Sequence, residues 1–346
     1  MTAGVPSATS TPWSSVAVDP NTPTIIYAAA GDNFNTNQIN GVYRSMDSGS
    51  NWTLLTLAGT SQLNVGRIAL AVSPTPNTAG HHVLYAAIAY ASGQGNGGLY
   101  YIGRSDNSDA ASPTFANLTS GTPDFLGGEN GGGAGWYDIA MNVDSNGVVY
   151  CSGVMNYNTN MQLAIKSANL GVTWTDISVL KGFEPHTDTH AIVFDSSNNM
   201  LLGTDGGIFL YSPAAGTWTD LNGNLNTIQF YGIGLDPTAP SKVVGGSQDN
   251  GTEVYSGNIV WNETAGGDGA AAQISQTNSS DCYAMHPIAS FGANSFFQVS
   301  TDGCSTWNDA TNALGISNSN NINFTPPFCR RSLQRQPSAA GHRQRE

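Results

Sequence analysis

Apolar and polar residues alternate with a period of two through much of the chain. VAVDP at 16–20, VVYCSG at 148–153, HAIVFD at 190–195 and FFQVS at 296–300 all follow it. That period puts successive side chains on opposite faces of an extended strand. No stretch of a dozen residues carries apolar positions at helical spacing, so the pattern predicts an all-β protein. The strand-sized runs are separated by clusters of Gly, Asn, Ser, Asp and Pro, the residues that reverse a chain.

The alternation is itself repeated. Between His186 and Thr252 one order of elements occurs twice: an alternating strand (HAIVFD, then FYGIGLDP), a small-residue turn, a second strand (MLLGTDGG, then KVVGGSQDNG) and a Trp-bearing close. The same order parses residues 16–58 and units starting near Gly66, Gly135, Thr187, Thr227 and Gly267, with a seventh beginning near Phe324. Trp174, Trp218, Trp261 and Trp307 recur every 43 to 46 residues. Repeats of that length with several short strands predict a β-propeller of four-stranded blades, about six present of seven or more, because a blade buries its faces only against its neighbours. The predicted domain is an incomplete propeller over 1–328.

Composition changes this picture at one end. The chain has 346 residues, 39% hydrophobic and 10% charged, with 41 Gly and a formal charge of −13. Such acidity repels phosphate backbones and argues against a nucleic-acid partner. Of the 11 basic residues, Arg330, Arg331, Arg335, Arg343 and Arg345 fall after Phe328, in a segment unlike anything upstream. Codons can be chosen so that a one-base shift turns FCRRSLQRQPSAAGHRQRE into the repeat-like FVVDPSNANRLLLGTDS. Residues 329–346 are therefore expected to be an aberrant basic tail without order. The opening MTAGVPSATSTPW lacks the charged and apolar regions of a signal peptide, and no run is long and apolar enough to span a membrane.

Near the close of several units lies a recurring turn. Ser45, Asp47, Gly49 and Trp52 spell S-x-D-x-G-x-x-W; Ser167, Asn169, Gly171 and Trp174 repeat it with Asn for Asp; Ser300, Asp302 and Trp307 keep it with Cys304 in the glycine place. This resembles the Asp-box of bacterial neuraminidase-type repeats. GTDGG, QFYGIGLDP, GGSQDNGT and GGDG are likewise similar to segments of secreted bacterial Asp-box propellers, whose architecture is shared by the sortilin ectodomain and xyloglucan-cleaving glycosidases. The resemblance implies structural boxes, with tryptophans packed between strands, and a secreted or cell-surface location. It does not imply sialidase activity. Sialidases clamp a carboxylate with three arginines, and outside the tail this chain has only Arg44, Arg67 and Arg104, of which Arg44 and Arg104 sit before a box or its remnant.

The starts of the innermost strands converge on one channel rim in such a fold. They carry Tyr137 and Asp138, Asp188 and His190, Gln229 and Tyr231, and Asp268; turn acids Asp205 and Asp249, with Asn250, are read as matched positions of units four and five. Asp188, Asp268, Asp205 and Asp249 are the candidate catalytic carboxyls, and His190, Tyr137, Asp138, Gln229, Tyr231 and Asn250 the candidate ligand-binding residues. GTDGG and SQDNG are also good turn sequences, whose carboxylates can simply cap backbone amides. As an extended strand, His186-x-Asp188-x-His190 would spread its ligands over about 13 Å, too far for one ion, so no metal site is assigned. Calcium at Asp188, Asp249 and Asp268 stays open as the one possible cofactor.

The glycine-rich run 127–133 precedes a strand and reads as a rim loop rather than a phosphate cradle. Cys282 and Cys304 fall in one unit, so a pair between them is open; Cys151 is isolated and Cys329 belongs to the tail. Sequons at Asn51, Asn117, Asn262, Asn278 and Asn323 are expected by chance in so Asn- and Thr-rich a chain. Three functions are carried forward: a monomeric propeller binding a polysaccharide or peptide at its rim, a two-carboxylate glycoside hydrolase, and a protein-interaction scaffold.

Overall fold

A computed structural model describes residues 4, 12–31, 39–91, 94–128, 133–155, 161–223, 225, 228–286 and 296–311. The seventh unit, the tail 329–346 with Cys329, Asn323 and the middle of the glycine run lie outside the described residues. Among the described residues there is no α-helix, and the strands form six four-stranded antiparallel sheets, each a meander in chain order. These are the blades of a β-propeller. The chain divides into two compact units, Met1–Asn226 and Thr227–Glu346. The first holds blades one to four (13–54, 65–117, 140–176, 189–220), the second blades five and six (230–265, 272–309).

Within the first unit the opening strands of successive blades lie side by side, which makes them the innermost strands. Apolar seams fill the gaps between blades. Tyr27, Ala29 and Val42 meet Ile68, Leu70 and Leu84; Ala71, Tyr85 and Ala87 meet Ile139, Met141 and Val149; Tyr150, Leu163 and Ala164 meet Ile192, Met200 and Leu202. The second unit has one such seam, where Val244 and Val254 pack on Ala272, Ile274 and Cys282. The reason is the pleat: the in-facing half of each alternating strand has no other place to leave water.

The turns explain the polar half of the repeat. After the innermost strand, Asp19, Asp144, Asp195 and Asp236 each accept two backbone N–H groups through Oδ1, closing the reversal into the second strand. Neutral backbone donors and hydroxyls hold the Asp236 carboxyl down at about 2.

The three S-x-[D/N] turns share one geometry. The serine Oγ donates to Oδ1 of Asp47, Asn169 or Asp302 and accepts the N–H four residues on. Oδ1 then accepts the N–H of Asn51, Thr173 or Thr306. Two consecutive left-handed residues make this possible: Ser48–Gly49, Leu170–Gly171 and Gly303–Cys304. Asn169 substitutes for aspartate because the turn needs only one acceptor oxygen; its Nδ2 donates to Thr173 Oγ1 instead. The remnant of blade two that follows Arg104 is Ser105 with Asn107, stretched to reach the N–H of Thr114.

Two expectations are sharpened here. Trp52, Trp174 and Trp307 are half-buried: Trp52 Nε1 donates to Gly49 O of its own turn, whereas Trp174 packs on the seam of blades two and three and Trp307 on that of blades five and six, its Nε1 donating to Thr264 Oγ1 of blade five. The fully seated tryptophan is Trp218, 5% exposed, whose Nε1 donates to Ile177 O across the seam of blades three and four. Cys282 and Cys304 do form a disulfide, tying a strand of blade six to its turn, while Cys151 is free and buried.

Arg44 and Arg104 also have their place. Arg44 donates to Ser108 O and Ala110 O in blade two, and Arg104 to Leu170 O in blade three and to Asp106. Lys166, at the same position of blade three, donates to Tyr211 Oη in blade four. Each cation precedes a turn serine and bridges forward to the next blade.

Candidate functional site

The rim of blades three and four gathers the candidates of the first unit. A turn at 133–138 leads into the innermost strand of blade three. It is pinned by Gly133 N–H to Asn96 O, Ala134 N–H to Leu126 O and Gly135 N–H to Gly97 O. Gly135 has no room for a side chain, since a Cβ would meet Leu126 and Gly97 O at under 3 Å. The turn leaves Trp136 (45% exposed) and Tyr137 (42%) in solvent with ring centroids 5.7 Å apart, and it buries Asp138 to 2% exposure. Tyr137 meets His190 edge-on at 4.7 Å.

His190 is placed by a β-bulge. The pairing of Thr189–Phe194 with Met200–Thr204 skips between Thr189 and Ala191, so His190 is the extra residue and swings to the rim. Its Nε2 lies 2.5 Å from Asp205 Oδ1 and its Nδ1 3.8 Å from Asp138 Oδ1. His186-x-Asp188-x-His190 is not an extended run. Asp188 has a left-handed backbone (φ 61°), and the strand begins only at Thr189, so the three side chains do not share a strand face. The Asp188 carbonyl accepts the N–H of Asp205, which fixes the two turns together.

The Asp138 carboxyl lies beside that of Asp188. Burial is the main reason its proton is held far more tightly than usual; the charges of Asp188 and Asp205 add to it and the Arg67 guanidinium opposes. Asp188 is also raised, again chiefly by burial, with His186 opposing. Asp188 and Asp205 offer carboxylate oxygens within 4.8 Å of one another. Asp138, Asp188, Asp205 and His190 thus form a closed ring of titratable groups. Asp138 Oδ1 is buried in it without a hydrogen-bond partner.

In the second unit, blade five repeats the device with other residues. Its pairing skips between Phe230 and Gly232, so Tyr231 is the bulge residue, and its hydroxyl donates to Gln248 Oε1 at 2.5 Å. Asp205 is therefore matched by Gln248, not by Asp249, because the blade-five turn holds one more residue before the next strand. Gln229 is exposed, and its carbonyl accepts Gln248 N–H as Asp188 accepts Asp205 N–H. Asp268 caps the N–H of Asp249, itself left-handed at φ 59°, and Asn250 Nδ2 returns to Gln248 O.

Sequence reasoning did not single out Trp136, Gln248 or Glu253, and it met Arg67 only in setting aside a sialidase clamp. Trp136 did carry a signal: it falls outside the 43–46-residue register of the closing tryptophans, so it has no blade-closing role to fill. Glu253, in blade five, is 3% exposed. Its Oε1 accepts from Ser247 Oγ, Oε2 has no hydrogen-bond partner, and burial pushes its carboxyl up to about 7.

No protein-family profile and no curated protein matches the chain. Among solved structures it is similar to a GH74 enzyme of Niastella koreensis (16% identity, TM-score 0.44, covering 85% of this chain and 46% of that one). It is also similar to the GH74 xyloglucanase of Xanthomonas campestris (17%, 0.45, 88% and 46%). A third is YCF48 from Cyanidioschyzon merolae (12%, 0.39, 88% and 86%). The chain spans less than half the length of the two GH74 structures.

Proposed function

We propose that this chain is a ligand-binding β-propeller of the Asp-box type whose rim at blades three and four takes a polysaccharide or oligosaccharide. One observation carries the reading: two exposed aromatic rings, Trp136 and Tyr137, stand directly beside the buried Asp138 and the rim histidine His190. Aromatic faces stack on the apolar face of a sugar ring, and a few fixed polar groups beside them orient its hydroxyls. A peptide would be met by the same groups without a strand edge to pair with, so the glycan is preferred.

Binding is favoured over hydrolysis by distance. Glycosidases hold their two carboxyls roughly 5 to 9.5 Å apart, flanking the bond they break, whereas Asp188 and Asp205 bring carboxylate oxygens within 4.8 Å of one another. The buried disulfide Cys282–Cys304 supports an oxidising, secreted or surface setting. No described helix is long and apolar enough to cross a membrane.

The test is retention of the protein on a glycan array, repeated with Trp136→Ala and Tyr137→Ala. Roughly tenfold weaker binding is expected for each, with unchanged melting because both rings are exposed. Wild-type binding by both variants, or no glycan retained at all, would overturn the reading. A reducing-sugar assay run alongside would register hydrolysis, and turnover abolished by Asp188→Asn would establish the hydrolase instead.

A further inference from the structure

We infer that the Cys282–Cys304 disulfide is a redox lock on the second unit: while the bond is formed the seam of blades five and six is closed, and reduction to two thiols opens that seam. Nothing in it depends on a bound ligand. Two departures from the repeat coincide at this bond. In blades one and three the register partner of the turn serine is aliphatic, Ile26 opposite Ser45 and Val149 opposite Ser167, and the turn carries a left-handed glycine, Gly49 or Gly171. Blade six has cysteine in both places, Cys282 opposite Ser300 and Cys304 in the turn, and the two are bonded to each other.

Cys304 keeps the glycine's conformation, at φ 70°, which a side chain disfavours. What holds it there is local: its N–H donates to Ser300 Oγ, and its sulfur is tied to the neighbouring strand. The conformation matters beyond the turn, because the chain leaving it carries Trp307 onto the seam, where Nε1 donates to Thr264 Oγ1 of blade five at 3.0 Å. The seam has little else to hold it. Blade five contributes Val244 and Val254, next to Gly245 and Gly246, which have no side chain to add; blade six contributes Ala272, Ile274 and the two buried cysteines themselves. The seam of blades three and four, by contrast, buries Tyr150, Phe209, Tyr211 and Trp218. Cohesion scales with the apolar area removed from water, so the thinner seam depends more on its covalent tie.

The chemistry is thiol–disulfide exchange. A thiolate of a dithiol reductant attacks one sulfur and releases the other as a thiolate, which takes up a proton; the reductant's second thiol then displaces the sulfur still held, leaving Cys282 and Cys304 as thiols and the reductant as a cyclic disulfide. Two electrons and two protons pass to the protein, and a disulfide oxidant restores the bond by the reverse path. Reduction removes a link across a sequence separation of 22, which shifts the ratio of closed to open seam by on the order of a hundredfold. The lock therefore closes in an oxidising compartment and releases in a reducing one.

Hydrogen exchange of the full chain, read by mass spectrometry with and without excess dithiothreitol, tests the lock; iodoacetamide labelling of Cys304 in a parallel sample reports the state of the bond. The expected result on reduction is exchange faster by on the order of a hundredfold in 243–255 of blade five and in 282–285 and 297–300 of blade six, with 189–211 of blade four unchanged. Unchanged exchange in a chain whose Cys304 is labelled overturns the lock. An equal rise in 189–211 overturns it too, since the effect would then not belong to the second unit. Should the buried bond resist the reductant, Cys282→Ser supplies the unbonded state and is judged on the same segments. Cys282→Val combined with Cys304→Gly restores the aliphatic residue and the glycine of blades one and three, and is expected to give no response to dithiothreitol. A response of wild-type size in that double variant, which has no bond to lose, overturns the assignment to this disulfide.

Discussion

Blades four and five are built on one backbone and filled with different chemistry. In blade four the bulge residue is His190, held by Asp205; in blade five it is Tyr231, held by Gln248 at the same 2.5 Å. One pair is titratable and the other neutral. Two strands outward the contrast reverses: blade four places Phe209 in its apolar seam, whereas the matching position of blade five is the buried Glu253. The backbone fixes where a side chain points, through the bulge and the ladder register. What the position does is then free to vary blade by blade, and that is how a repeat of one structural unit becomes a surface with one distinctive site.

The largest expected difference between the two blades lies in their tryptophans. Trp218→Ala should cost roughly 3 to 5 kcal/mol, since it empties a fully covered seam. Trp261→Ala, where the ring is half-buried against Phe230 and Tyr255, should cost about half of that by its smaller covered area. Urea unfolding of the two variants checks this; equal losses would mean the blades close alike.

Glu253 gives blade five a pH signature of its own. Its folded-state carboxyl sits at about 7 against an ordinary 4.5, so the folded state binds the proton more tightly. The stability this contributes is complete below pH 4.5 and disappears as pH rises through 7, a loss on the order of 3 kcal/mol. Glu253→Gln should remove that slope and keep the Ser247 bond, which chemical denaturation at several pH values would show. A slope unchanged in the variant would assign it to other groups.

The smallest effect separates the two rim pairs. Asp205→Ala breaks a hydrogen bond to a charged acceptor and should cost about 1.5 to 3 kcal/mol, while Gln248→Ala breaks a neutral one and should cost about 1. Thermal melting resolves the difference, and a larger loss for Gln248→Ala would invert the comparison drawn above.

Much of the fold was legible in the sequence because its determinants are local. The alternation in HAIVFD, the aspartates after the innermost strands of blades one, three, four and five and the S-x-[D/N] turns all act over a few residues. The site was less legible because its determinants are not. HAIVFD reads as an unbroken strand, and nothing in it announces that His190 is the extra residue of a bulge. Asp205 and Asp249 look matched in the text since both follow a glycine-rich strand; one added residue in the second turn transfers the match to Gln248. The placing of Asp138 beside Asp188 joins positions 50 apart across two blades, which no spacing rule reaches. The turn tryptophans were legible in part: Trp174 and Trp307 reach the seams as the motif implies, while the Trp52 indole donates to its own turn.

The forward bridges of Arg44, Arg104 and Lys166 bear on how the first unit comes apart. Each seam carries its own fastening from the earlier blade to the later, and the series stops at Tyr211, which accepts from Lys166 while standing in the place of the next cation. Damage is thus compartmented: Arg44→Met would loosen the first seam and leave the other two clamped. Under a pulling force such a unit would yield in discrete steps, one blade per event, like a row of latched panels and not a single sheet tearing through.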